Sequence, residues 1–212
     1  NVTLIDRCNY VESGSASMNV TLKGSDNTIY GVGGNNTIVS NTGSNNFISG
    51  FGDADNAQAL SLSKGETKNL TINGINYTVK NNSSNYSNAV LFSVNPVTGV
   101  VSFSGSNLTI NGQSDVSHNV ELYGLDFKFY GGEKDDIITM YAVNSTIYGE
   151  GGNDKLLINS SGFAYGGAGD DEIILNAGGA AYGDDGDDTI TINASTNSAI
   201  NGGLGNDTYN IN

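Results

Sequence analysis

Five aspartates recur at one place in a repeated turn: Asp136, Asp154, Asp171, Asp188 and Asp207. Each ends a six-residue run rich in glycine. The runs are Gly131-Gly132-Glu133-Lys134-Asp135-Asp136, Gly149-Glu150-Gly151-Gly152-Asn153-Asp154, Gly166-Gly167-Ala168-Gly169-Asp170-Asp171, Gly183-Asp184-Asp185-Gly186-Asp187-Asp188 and Gly202-Gly203-Leu204-Gly205-Asn206-Asp207, and they start 18, 17, 17 and 19 residues apart. A turn this short needs residues at positive φ, which Gly, Asn and Asp tolerate best, so the glycines by themselves require no ligand. The aspartates are different. Successive coils paired as strands lie about 4.8 Å apart, which would hold the five carboxylates in a column of like charge. Such a column is repulsive unless cations sit between its rungs.

The elements that must position this column are short strands. An apolar stretch follows each run, as in Ile137-Ile138, Leu156-Leu157-Ile158, Ile173-Ile174-Leu175 and Ile190-Thr191-Ile192. About half a repeat later comes a weaker turn: Asn144-Ser145-Thr146-Ile147, Ser161-Gly162-Phe163-Ala164, Gly178-Gly179-Ala180-Ala181 and Asn197-Ser198-Ala199-Ile200. One coil is therefore two strands and two turns. Alternation places Ile138 and Met140, Leu156 and Ile158, Ile173 and Leu175, Ile190 and Ile192, and Tyr209 and Ile211 on one inward face. Ile147, Ala164, Ala181 and Ile200 face them across a thin core.

The turns resemble the nonapeptide G-G-x-G-x-D-x-U-x, U being a large apolar residue, of the RTX (repeats-in-toxin) calcium-binding family. The resemblance covers residues 131–212, with weaker echoes at Gly31-Val32-Gly33-Gly34-Asn35-Asn36-Thr37-Ile38 and Gly50-Phe51-Gly52-Asp53-Ala54-Asp55. It implies an all-β fold, a right-handed parallel β-roll or β-helix, with each calcium ion between neighbouring turns. The sixth-position Asp side chains of both turns would bind it, together with backbone carbonyls of the first four positions. On this chain those carbonyls belong to Gly131 and Glu133; Gly149, Gly151 and Gly152; Gly166, Ala168 and Gly169; Gly183, Asp185 and Gly186; and Gly202, Leu204 and Gly205. Five turns then offer up to four interturn sites on one edge.

Residue chemistry agrees with calcium, which takes about six to eight oxygen ligands in irregular geometry. Magnesium keeps its waters in tight octahedra, and zinc wants His or Cys ligands that are missing here. Lys134 departs from the pattern, replacing the fourth-position Gly and bringing an ammonium beside Asp136. The opposite edge lacks the aspartates: Ser145, Phe163, Ala180 and Ala199 stand at or near the corresponding positions, predicting hydrogen-bonded turns without metal.

Charge follows the same division. The 212 residues carry a formal net charge of -14; residues 1–130 hold 9 acidic and 6 basic side chains, residues 131–212 hold 13 and 2. A surface this acidic repels nucleic acid and anionic lipid. No stretch is long and apolar enough for a membrane span, and residues 1–30 lack a secretory signal pattern. The chain is read as part of a larger protein. Cys8 has no partner for a disulfide. His118, the single histidine, makes neither a zinc site nor a triad and is expected as a solvated or hydrogen-bonded loop residue.

Upstream of the repeats, residues 57–117 read as an inserted antiparallel β-hairpin meander. Its runs are Ala59 to Ser63, Asn69 to Ile72, Ile75 to Lys80, Ala89 to Val94, Val100 to Ser104 and Asn107 to Ile110, separated by hairpin signals such as Asn73-Gly74 and Asn111-Gly112. Residues 1–56 read as degenerate coils, with a weak calcium site near Asp53 and Asp55; residues 118–212 form the calcium-binding roll. The Asn-x-Ser/Thr sequons follow from composition. Paired acids such as Asp187-Asp188 point oppositely on a strand and suit no glycosidase, and the glycine turns lack the Lys-Ser/Thr of a phosphate loop. Tyr130, Tyr148, Tyr165 and Tyr182 recur before the turns and predict stacking across rungs on an outer face.

These features point to a non-catalytic calcium-binding segment of a large secreted or cell-surface bacterial protein. Adhesins and surface layers are the favoured setting, with a host or cell-surface glycan or protein as a further partner. The resemblance implies export through a type I secretion channel and folding on calcium outside the cell. The alternatives are an accessory or secretion module of a toxin or of a secreted protease, lipase or polysaccharide-modifying enzyme, and a carbohydrate-binding surface module.

Overall fold

A computed structural model describes residues 60–95, 97–193 and 198–212 in full and, of residues 1–59, only the backbone of the strands named here. The described residues contain strands and no helix. The chain divides into two compact units, Asn1–Leu60 with Leu91–Asn95 and Ser61–Val90 with Pro96–Asn212.

In the first unit, β1 (Val2–Leu4), β3 (Asn19–Leu22) and β5 (Thr37–Asn41) stack in parallel, as do β2 (Tyr10–Glu12), β4 (Thr28–Tyr30) and β6 (Phe47–Ser49). Val2 aligns with Val20 and Tyr10 with Thr28. A coil there is as long as a coil of the aspartate repeats. Asp53 and Asp55, expected to hold a weak calcium site, lie outside the described residues.

β7 (Gln58–Leu62) and β10 (Asn88–Val94) each run across the division between the units. Within the second unit, β8 (Thr67–Ile72) and β9 (Ile75–Asn81) form an antiparallel hairpin. Ile72 faces Ile75 across Asn73 and Gly74, both at positive φ (51° and 82°). Two such residues match the right-handed twist of the flanking strands, which is why Asn-Gly favours this loop.

The next strand departs from expectation. β11 (Val101–Asn111), expected in the antiparallel insert, pairs in parallel with β12 (Asn119–Gly132), Val101 against Val120 and Ile110 against Phe129. Val101, Phe103, Leu108 and Ile110 are all buried, continuing the inward face of the coils. Asn111-Gly112, expected to close a hairpin, instead opens a solenoid turn, where Gly112 N–H donates to Tyr130 O at 2.8 Å. The dipeptide sets a local turn; burial of the next apolar pair decides where the chain goes. β11 also pairs antiparallel with β9, Ile110 against Val79, and so joins hairpin to solenoid.

From β12 onward the chain winds through β13 (Ile137–Met140), β14 (Ser145–Gly151), β15 (Lys155–Ile158), β16 (Gly162–Ala168), β17 (Glu172–Leu175), β18 (Gly179–Asp185), β19 (Thr189–Ile192), β20 (Ala199–Leu204) and β21 (Thr208–Ile211). The sheet order β20-β18-β16-β14-β12-β13-β15-β17-β19-β21 runs down one wall and up the other. This is a parallel β-solenoid. Val120, Ile138, Leu156, Ile173 and Ile190 stack on one wall beside Leu122, Met140, Ile158, Leu175 and Ile192. All are buried, and burying each large aliphatic side chain contributes about 1.5–3 kcal/mol. The facing wall narrows from Phe129 and Ile147 to Ala164 and Ala181, all buried. Tyr209 and Ile211 keep the expected register but are 46% and 74% exposed, since no described strand covers β21 from the far side.

Candidate metal centre

The five aspartates stand one per coil just before β13, β15, β17, β19 and β21, which the parallel register stacks directly. A ladder of main-chain bonds fixes their carboxylates. Asp136 N–H donates to Asp154 Oδ1 at 2.7 Å, Asp154 N–H to Asp171 Oδ1 at 2.7 Å, Asp171 N–H to Asp188 Oδ1 at 2.8 Å, and Asp188 N–H to Asp207 Oδ1 at 3.2 Å. The other oxygen has no such partner. Oδ2 of Asp136, Asp154, Asp171 and Asp188 is buried without a hydrogen bond, on side chains no more than 2% exposed.

A buried, unsatisfied carboxylate oxygen is costly. Burial accordingly pushes Asp136, Asp154 and Asp171 up to about 7 from an ordinary 3.8, outweighing the bonds to Oδ1, and raises Asp188 as well. Neighbouring carboxylates push the same way.

The first glycine of each turn shows where the free oxygens face. A Cβ added to Gly131, Gly149, Gly166 or Gly183 would lie 1.9–2.1 Å from Oδ2 of the Asp five residues on. The same Cβ would lie 2.8, 2.5, 2.6 and 2.4 Å from the carbonyl oxygens of Gly149, Gly166, Gly183 and Gly202 in the next coil. An unpartnered carboxylate oxygen and a carbonyl oxygen of the neighbouring coil thus share a cradle open only because the residue is glycine. The cradle of Gly202 is bounded by Asp207 Oδ2 at 1.9 Å.

Six of the other expected carbonyls fall into two groups. Those of Ala168, Asp185 and Leu204 accept the N–H groups of Gly152, Gly169 and Gly186 at 2.8–3.0 Å. Those of Gly152, Gly169 and Gly186 press against the fourth-position glycine of the next coil, where a Cβ would meet them at 1.9–2.1 Å. Gly152, Gly169, Gly186 and Gly205 hold φ of 101–147°. Lys134, at the same position of the first turn, has no positive φ; it is exposed, and among the described residues it makes no ion pair with Asp136. Glu133 lays its side chain over Gly151.

Among the described residues no three His, Cys, Asp or Glu side chains converge on one point. The cradles of Gly131, Gly149, Gly166 and Gly183 each receive one carboxylate oxygen and one main-chain carbonyl oxygen of the next coil. This oxygen-only pair, with an unmet negative charge, has the chemistry of a hard-cation ligand and offers zinc no soft or imidazole ligand.

On the opposite edge, Ser145 Oγ accepts from Phe127 N–H and donates to Val143 O, each at 2.9 Å, so this buried hydroxyl needs no ion. An Asn ladder lines a neighbouring corner, with Asn176, Asn193 and Asn212 each donating to the Asn of the coil before. The rings of Tyr130, Tyr148, Tyr165 and Tyr182 stack at 4.5, 5.0 and 4.7 Å, within 12° of parallel. The ring faces between them are occupied by one another.

His118 was not foreseen in the column. It is buried, stacked one coil before Asp136, and its N–H donates to Asp136 Oδ1 at 2.6 Å. The 19-residue spacing from Gly112 to Gly131, within the range of the later repeats, was the available signal. Comparison of the chain with protein-family models, curated proteins and solved structures gave no match.

Proposed function

We propose that the β-solenoid of residues 131–212 is a calcium-binding, non-catalytic segment of a secreted or cell-surface bacterial protein, ordered by the ion after export. The observation carrying this reading is the column of four buried Oδ2 atoms without a donor, each sharing a cradle with a carbonyl of the next coil. A protein interior pairs its buried charges or neutralises them. Here the only neutralising groups that fit one cradle per coil are a proton or an oxygen-loving cation.

The net charge gives the ion a folding role. Residues 131–212 hold 13 acidic against 2 basic side chains, and this excess opposes stacking until cations screen the column. Extracellular modules bind calcium at roughly 0.1–1 mM, matching a chain that is only marginally folded in a low-calcium cytoplasm and orders fully outside. A role in an adhesin or surface layer suits this extended repeat. The stacked Tyr faces speak against a sugar platform on that wall.

The test is far-UV circular dichroism during a calcium titration from a chelated start, with magnesium as control. The expected result is a cooperative gain of β signal and a higher unfolding temperature with calcium alone, over a chelated chain that keeps only a marginal fold. A sheet fully formed in chelator and unaltered by calcium would overturn the reading.

A further inference from the structure

His118 occupies a carboxylate's place in the column. Its main-chain bond to Asp136 Oδ1 at 2.6 Å repeats the bond of Asp136 to Asp154 Oδ1 at 2.7 Å. Its ring also takes the place of Oδ2. A Cβ on Gly112 would lie 2.4 Å from His118 Nε2 and 2.7 Å from Gly131 O; a Cβ on Gly131 would lie 1.9 Å from Asp136 Oδ2 and 2.8 Å from Gly149 O.

The two slots differ in what satisfies them. Asp136 Oδ2 has no partner, whereas His118 Nε2 lies 3.0 Å from Gln113 O and Nδ1 lies 3.2 Å from Tyr77 Oη. A carbonyl only accepts, so Nε2 carries the proton and Nδ1 accepts from the tyrosine hydroxyl. This tautomer is neutral with both nitrogens matched. Tyr77 comes from β9 of the antiparallel hairpin, is 1% exposed, and packs its ring 5.2 Å from both Phe103 and His118. The hairpin thus delivers a hydroxyl to the end of the column.

We propose that His118 and Tyr77 cap the column. Ion binding starts at Asp136, and the antiparallel insert seals the coil before it, with an imidazole N–H standing where later coils present a bare carboxylate oxygen. The position of the first ion rests on the calcium reading; the cap itself does not. Its consequence is a closed stack end with no unpaired charge against Phe103 and Phe129.

The experiment compares wild type, His118→Asp and His118→Gln, each by thermal unfolding in chelator and by calorimetric calcium titration. In chelator, H118D adds an orphan carboxylate and is expected to unfold at a lower temperature than wild type. In calcium it recovers and binds one ion more per chain. H118Q, neutral and with an N–H to offer Gln113 O, is expected to keep the wild-type ion count. Loss of an ion in H118Q would make His118 a ligand and overturn the cap. An H118D protein with an unchanged chelated midpoint and ion count would show that the slot lies outside the column. Absence of calcium binding in wild type would overturn the proposed function instead, and the chelated midpoints would still decide the cap.

Discussion

Asp154 N–H donates to Asp171 Oδ1 at 2.7 Å, while Oδ2 of that same carboxylate is buried and meets no donor. One carboxylate therefore has two jobs. Oδ1 ties its coil to the one before, and Oδ2 faces the cradle of Gly166 toward Gly183 O. The column aligns the coils through main-chain N–H donors on Oδ1 and leaves Oδ2 of the same carboxylate unmet, so a substitution can separate the structural task from the ionic one.

Asp171→Asn makes that separation. The amide retains an oxygen to accept from Asp154 N–H and replaces the charged Oδ2 with a donor facing Gly183 O. In chelator the variant is expected to be more stable than wild type by about 1–3 kcal/mol, the cost of leaving a buried polar group unmet. In calcium it should bind more weakly and be less stable than wild type. Thermal unfolding in both conditions checks this, and the same sign of change in both would contradict it.

The column and the inward ladders were legible because a coil of 17 to 19 residues repeats them in register, and only residues at fixed offsets stack. Ile138, Leu156, Ile173 and Ile190 needed no more than alternation to be placed. Three features were not legible. Val101–Asn111 looked like hairpin strand because Asn111-Gly112 sets a tight turn in either topology, and its parallel partner lies in β12. His118 broke the residue type that marks the column, and its turn holds one residue more between Ser114 and His118 than the next holds between Glu133 and Asp136. The exposure of Tyr209 and Ile211 depends on what covers β21, not on alternation.

Acidity should act with opposite sign on the two forms of the protein. Burial holds Asp136, Asp154 and Asp171 at about 7 in the folded metal-free chain, above their ordinary 3.8. Between those values the folded state keeps protons that the unfolded chain releases, so metal-free stability is greatest at low pH and is lost as pH rises through about 7. On the proposed calcium reading the ion displaces those protons, so its affinity is expected to fall as pH drops through the same window. Unfolding midpoints from about pH 5 to about pH 8 should fall without calcium, and the extra stability that calcium confers should rise. A metal-free midpoint that climbs with pH would show that the carboxylates do not bear the burial cost.

Gly166→Ala tests the cradle itself. Its Cβ would lie 2.1 Å from Asp171 Oδ2 and 2.6 Å from Gly183 O, too close for either to stay in place. Overpacking of this kind costs about 1–3 kcal/mol, and it fills the space in which the two oxygens face one another. The variant should lose stability in chelator and calcium alike and give up calcium binding at that coil. Pairing it with Asp171→Ala makes the argument specific. Removing the carboxylate relieves the nearest clash, so the double variant should be less destabilised in chelator than the sum of the two single changes, a coupling that denaturant unfolding measures directly. Additive losses would mean that the glycine is needed for its approach to Gly183 O alone and that Asp171 does not share its cradle.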